Sequence, residues 1–122
     1  MKSKKILIVE DDRDIAENLQ ELLECEGYRV HLASNGQEAL NQLRSESELP
    51  SLIILDLMMP VMDGSQFRQE QEKDLKLAGI PVVIMTADGN IAAKKAKVSA
   101  KVHLRKPLDV DVVLDAIKQF VL

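Results

Sequence analysis

A chain of 122 residues with 46% apolar content fills one hydrophobic core and leaves no room for another, so residues 1–122 are expected to form a single domain. The net charge of −4 is spread along the chain, which argues against general affinity for nucleic acid or for a membrane surface. The lone Cys25 excludes an internal disulfide, no apolar run nears the ~20 residues of a membrane span, and too few apolar residues follow Met1-Lys2-Ser3-Lys4-Lys5 for a signal peptide, so a cytoplasmic location is expected.

Ile6 to Val9 is a short, continuous, β-branched run, the pattern of a strand covered on both faces. Ile15, Leu19, Leu22 and Leu23 then recur at helical spacing, with Asp12 or Asp14 as the N-terminal cap and Gly27 as the stop. Cys25 falls at the end of this helix and reads as a packing or surface thiol. Tyr28 to Ala33 makes a second strand. Asn35-Gly36 is a turn signal, after which Ala39, Leu40 and Leu43 mark a second helix, and Pro50 closes the next loop.

Leu52 to Leu55 is the third strand, and the loop from Met58 to Gly64 leads into a helix beginning near Ser65. That helix has a thin buried face, because between Ser65 and Asp74 only Phe67 is clearly apolar. Gly79-Ile80-Pro81 introduces a fourth strand, Val82 to Met85. A short helix over Asn90 to Lys97 precedes the fifth strand, Val102 to Leu104, and Asp109 caps a last helix that buries Val112, Val113, Ala116, Ile117 and Phe120. Five strands alternating with five helices predict an α/β fold: a mostly parallel sheet, right-handed crossovers and helices on both faces.

Four of the strands run into residues suited to phosphoryl chemistry, and in a parallel sheet their C-terminal ends share one edge. The first runs into Glu10 and Asp11, the third into Asp56, the fourth into Thr86, and the fifth, through Arg105, into Lys106. Three converging carboxylates repel unless a hard cation neutralises them, and Mg²⁺ prefers carboxylates together with water and phosphate oxygens. Acids after a strand also serve simply as helix caps, so Glu10 and Asp11 alone do not decide the matter. Asp56 follows four buried apolar residues, and its desolvation needs compensation, which makes it the candidate nucleophile for an acyl phosphate. Thr86 can donate a hydroxyl hydrogen bond to a phosphoryl oxygen and Lys106 can place an ammonium beside it. Either alone reads as strand propensity or a solvated lysine; the shared edge joins them to the site.

These residues together resemble the receiver domain of two-component response regulators over essentially the whole chain. The acidic pair Glu10-Asp11, the acceptor Asp56 with Met59-Pro60-Val61-Met62-Asp63-Gly64, then Thr86-Ala87 and Lys106-Pro107 match that family's pattern. The resemblance implies a flavodoxin-like three-layer sandwich with a five-stranded parallel sheet of order 2-1-3-4-5. It further implies Mg²⁺ held by Asp11, Asp56 and the backbone carbonyl of Met58, with Glu10 acting through water. Thr86 and Lys106 would contact the phosphoryl group, the Lys106-Pro107 bond would be cis, and Thr86 with His103 would carry the switch, His103 taking the position of an aromatic ring.

The implied function is a phosphorylation-dependent switch, loaded by a histidine kinase or histidine phosphotransfer protein and catalysing only its own phosphorylation and dephosphorylation. Direct nucleic-acid or membrane binding is not expected. The segment from Ala92 to Lys106 carries Lys94, Lys95, Lys97, Lys101, Arg105 and Lys106 with no acid, which suggests either a solvated face or an output surface for an acidic partner. A phosphorylation-dependent dimer is a further expectation. Three rivals are weaker. A haloacid-dehalogenase-type phosphatase resembles Asp-x-Asp at its nucleophile, but Leu57-Met58 follow Asp56. A flavin module would not place Glu10-Asp11-Asp12 at the phosphate. A degenerate receiver acting by contact alone would not need the complete strand-end set.

Overall fold

The computed structural model describes residues 4–56, 64–86, 102–105 and 110–120. Five strands, β1 (Lys5–Val9), β2 (Arg29–Ala33), β3 (Leu52–Asp56), β4 (Val82–Thr86) and β5 (Val102–Arg105), form one parallel sheet in the order β2-β1-β3-β4-β5. The described helices are α1 (Arg13–Cys25), α2 (Gly36–Ser45), α3 (Gly64–Lys73) and α4 (Val110–Phe120). The α/β class, the parallel pairing and the strand order expected from the sequence are all present.

Alternation along each strand splits the core into two layers. Ile6, Ile8, Ile54, Val83 and Met85 pack with Leu19 and Leu23 of α1 and with Val113, Ala116 and Ile117 of α4. Leu7, Val9, Ile53, Leu55 and Ile84 pack on the opposite face with Ala39, Leu40 and Leu43 of α2 and Phe67 of α3. The continuous apolar runs of β1 and β3 follow directly, since both of their faces are covered.

The ends of the helices show their chemistry. Asp12 caps α1, its side chain accepting from the Ile15 N–H at 3.2 Å. At the other end Gly27 has φ +93°, and the N–H groups of Gly27 and Tyr28 donate to the carbonyls of Glu24 and Leu23. That is the Schellman arrangement the glycine stop implied. Cys25 is exposed, a surface thiol.

Three expectations need correction. Asn35 does not make a separate turn before α2; it caps the helix, accepting from the Glu38 N–H at 2.8 Å, and the buried Gly36 is the first helical residue. Val112 is 50% exposed, because Val113, Ala116 and Ile117 at spacing three and four already form the inward stripe of α4. The third, fourth and fifth strands each run one residue past the expected end, to Asp56, Thr86 and Arg105, and the second begins at Arg29 rather than Tyr28. The expected helix over Asn90 to Lys97, the Asp109 cap and Pro107 lie outside the described residues, as does the side chain of Phe120.

The thin face of α3 is completed by a polar residue. Gln71 is fully buried and donates from Nε2 to the carbonyls of Leu77 and Ile80, at 2.9 and 3.1 Å, while its Oε1 accepts from Arg68 at 2.6 Å. Both ends of the amide are therefore satisfied, and the turn into β4 is tied to the helix. At the N-terminal edge of the sheet the buried Lys5 pairs with Glu46 and donates to the Glu48 carbonyl, anchoring the loop before β3.

Candidate functional site

Each functional side chain is positioned by the sheet ladder. One residue past β1, the Glu10 N–H donates to the Ala33 carbonyl at 3.0 Å, so the pairing with β2 fixes Glu10 before the chain turns into α1. Its Oε1 accepts from the Asp12 N–H at 3.3 Å. Asp56 is still within β3, paired in register with Met85 of β4. Val9 pairs with Leu55, so Glu10 and Asp56 occupy the next step of the same ladder. Both are 3% exposed, whereas Asp11 faces solvent.

Glu10, Asp11 and Asp56 each bring a carboxylate oxygen within 4.8 Å of the other two. Three acids at this separation, two of them withdrawn from water, form an all-oxygen donor set that suits a hard divalent cation. The adjacent Asp12 is turned away into the cap of α1, so the acidic run divides its labour: Glu10 and Asp11 face the cluster and Asp12 starts the helix.

Thr86 is the last residue of β4, one step beyond the Met85 that pairs with Asp56, and sits opposite Arg105 of β5. The backbone therefore brings Thr86 to the same edge as the carboxylates. His103 pairs with Ile84, two residues earlier on β5. Met58, Lys106 and the basic segment from Lys94 to Lys101 lie outside the described residues, while Arg105, which closes β5, immediately precedes Lys106.

A cleft of about 350 Å³ opens beside the acids, between the start of α1 and the start of α2. Glu10, Asp11, Arg13 and Ala16 line one wall, and Leu32, Ala33, Ser34 and Glu38 the other. Ser34 Oγ donates to Glu38 Oε2 at 2.6 Å. Sequence reading did not single out Arg13, Ser34 or Glu38. The signal was the Asn35 to Glu38 spacing, a cap residue followed three positions later by Glu, which marks a helix start beside the ends of β1 and β2.

A family model, the response regulator receiver domain, matches residues 6–118. The chain belongs to that family. This receiver domain is 36% identical to sporulation initiation phosphotransferase F of Bacillus subtilis (strain 168), over 98% of its own length and 95% of that relative's. It is 37% identical to response regulator Rre1 of a Synechocystis species over 87% of its length, but spans only 46% of that longer protein. Among solved structures, the receiver domain of a signal transduction histidine kinase from Syntrophus aciditrophicus superposes with a TM-score of 0.88 at 32% identity, covering 97% of this chain and 89% of the other.

Receiver domains are phosphorylation-dependent signalling switches, and this chain shares that function; the family typically binds Mg²⁺ and interacts with histidine kinases or phosphotransfer proteins. No helix among the described residues is long and apolar enough to cross a membrane.

Proposed function

We propose that residues 1–122 work as one receiver unit in which Asp56 accepts a phosphoryl group from the phosphohistidine of a kinase or phosphotransfer protein. The observation that carries the reading is the convergence of the buried Asp56 with Glu10 and Asp11 at the C-terminal edge of the sheet. In the transfer, an Asp56 oxygen bonds to phosphorus as the phosphorus–nitrogen bond breaks, and the imidazole leaves with the bonding electrons.

The oxygen donor set fits Mg²⁺, which Glu10, Asp11, Asp56 and the Met58 backbone carbonyl would hold. When bound, the ion supplies positive charge for the carboxylates and for the phosphoryl oxygens. The chain supplies the rest. The β3 ladder fixes Asp56 against displacement, burial removes the water that would otherwise compete for its oxygens, and Thr86 and Lys106 hydrogen-bond the phosphoryl group. Hydrolysis of the acyl phosphate returns the switch to rest, so the chain acts catalytically only on itself.

Thr86 and His103 then carry the change outward along β4 and β5. The basic stretch from Lys94 to Lys106 serves as the output surface for an acidic partner, and phosphorylation also favours a dimer. The acids lining the cleft also weigh against a flavin phosphate there. Incubation with Mg²⁺ and acetyl phosphate, read by intact mass, tests the assignment. One phosphoryl adduct on the wild-type chain and none on Asp56→Asn supports it; equal labelling of the two, or none with Mg²⁺ bound and a series of donors tried, overturns it.

A further inference from the structure

We propose that Arg13 is a donor-binding residue, its guanidinium drawing small anionic phosphoryl donors into the cleft beside Glu10 and Asp11. The inference rests on Asp56 being the acceptor. Arg13 opens α1 directly after the Asp12 cap and lines the same cleft as the two acids. Among the described residues lining that cleft it is the only base, and Glu38 stands on the opposite wall.

Charge balance gives the position its weight. The three carboxylates of the cluster carry one more charge than a bound Mg²⁺ would cancel, and Glu38 adds a further negative charge at the mouth. A dianionic donor such as acetyl phosphate is therefore repelled there, and Arg13 is the one charge among the described lining residues that reduces the repulsion. A guanidinium is suited to the task, because it is always charged and its planar fork matches phosphate oxygens in pairs.

The side chain is placed to move. Its hydrogen bond among the described residues runs from Nε to Glu17 Oε1 at 2.9 Å, an i,i+4 pair in which the Arg13 side chain is 88% exposed. Exposed pairs of this kind hold weakly, so the Nη fork is available to a phosphate and the whole group turns from Glu17 at little cost. In the reaction with acetyl phosphate, an Asp56 oxygen bonds to phosphorus, the phosphorus–oxygen bond to the acetyl group breaks, and acetate leaves with the electrons. Arg13 exchanges no proton; it concentrates the donor beside the acids.

The test measures phosphorylation rate against donor concentration, at low and high salt, for wild type, Arg13→Gln, Arg13→Lys and Glu17→Gln. Two donors are compared: acetyl phosphate, and phosphoramidate, which bears less negative charge at neutral pH because its nitrogen is protonated and which releases ammonia. At low salt, Arg13→Gln is expected to lower the second-order rate with acetyl phosphate about five-fold, and the rate with phosphoramidate by less. The loss lies in the concentration needed for half-maximal rate. It shrinks as salt rises, is largely restored by Arg13→Lys, and reverses in Glu17→Gln. An Arg13→Gln chain that reacts with acetyl phosphate at the wild-type rate, or that slows equally with both donors at every salt concentration, overturns the proposal. Failure of both donors on the wild type would instead remove Asp56 as acceptor, and this inference with it.

Discussion

Glu10 and Asp56 lie one step beyond the Val9–Leu55 pair on neighbouring parallel strands, both almost wholly buried. That relationship stores repulsion. At an effective dielectric of ~20, two unit charges about 5 Å apart repel by roughly 3 kcal/mol, and Asp11 adds to it. The parallel pairing of strands β2, β1, β3 and β4 fixes the backbone that brings these acids together.

Without a divalent cation, Asp56→Asn is therefore expected to be more stable than the wild type, by about 1 kcal/mol at low salt. Added Mg²⁺ should raise the wild-type urea midpoint and leave that of the variant nearly unchanged. Equal midpoints for the two proteins in EDTA would mean that the cluster carries no repulsion.

Gln71 makes a second, independent prediction. Its amide serves two buried carbonyls and accepts from Arg68, whose guanidinium burial pushes below its ordinary value while Glu72 partly offsets the shift. Gln71→Leu strands those carbonyls and should cost about 2–3 kcal/mol in urea unfolding. The acid cluster is untouched, so phosphorylation at saturating donor should persist while the protein stays folded. A stability loss below the error of the measurement would show that water replaces the amide.

Strand positions and strand-end chemistry were legible because both depend on short-range patterns, whereas the sheet order was implied by the resemblance to the receiver family. Ile6 to Val9 and Leu52 to Leu55 are continuous apolar runs, and such runs identify doubly covered strands whatever packs on them. Register was harder. Val112 looked like part of an apolar stripe, yet a shift of one position on a helix turns a side chain by about 100°, and Val113 takes the inward place. Gln71 and Lys5 were invisible as buried residues because their burial depends on partners as far as nine and 43 positions away in sequence. For the site, Glu10, Asp11 and Asp56 were found from sequence, whereas the cleft walls Arg13 and Glu38 needed the α1 and α2 starts to be set side by side.

The stop of α1 gives a clean backbone test. Gly27 has φ +93°, and no heavy atom lies within 4 Å of the point a Cβ would occupy, so Gly27→Ala meets a conformational penalty without a clash. The expected loss is about 1 kcal/mol, read from the thermal or urea midpoint, with unaltered phosphorylation. Gly27→Asn should lose less, because Asn tolerates the left-handed region better. Equal losses for Ala and Asn would contradict the account of that turn.

The most direct measurement for the central claim locates the acyl phosphate itself. After phosphorylation with Mg²⁺ and donor, borohydride reduction converts an aspartyl phosphate to homoserine, and tandem mass spectrometry reads which position has changed. The expected change lies at position 56 alone and depends on Mg²⁺. Reduction at Asp11 or another acid, with position 56 intact, would contradict it.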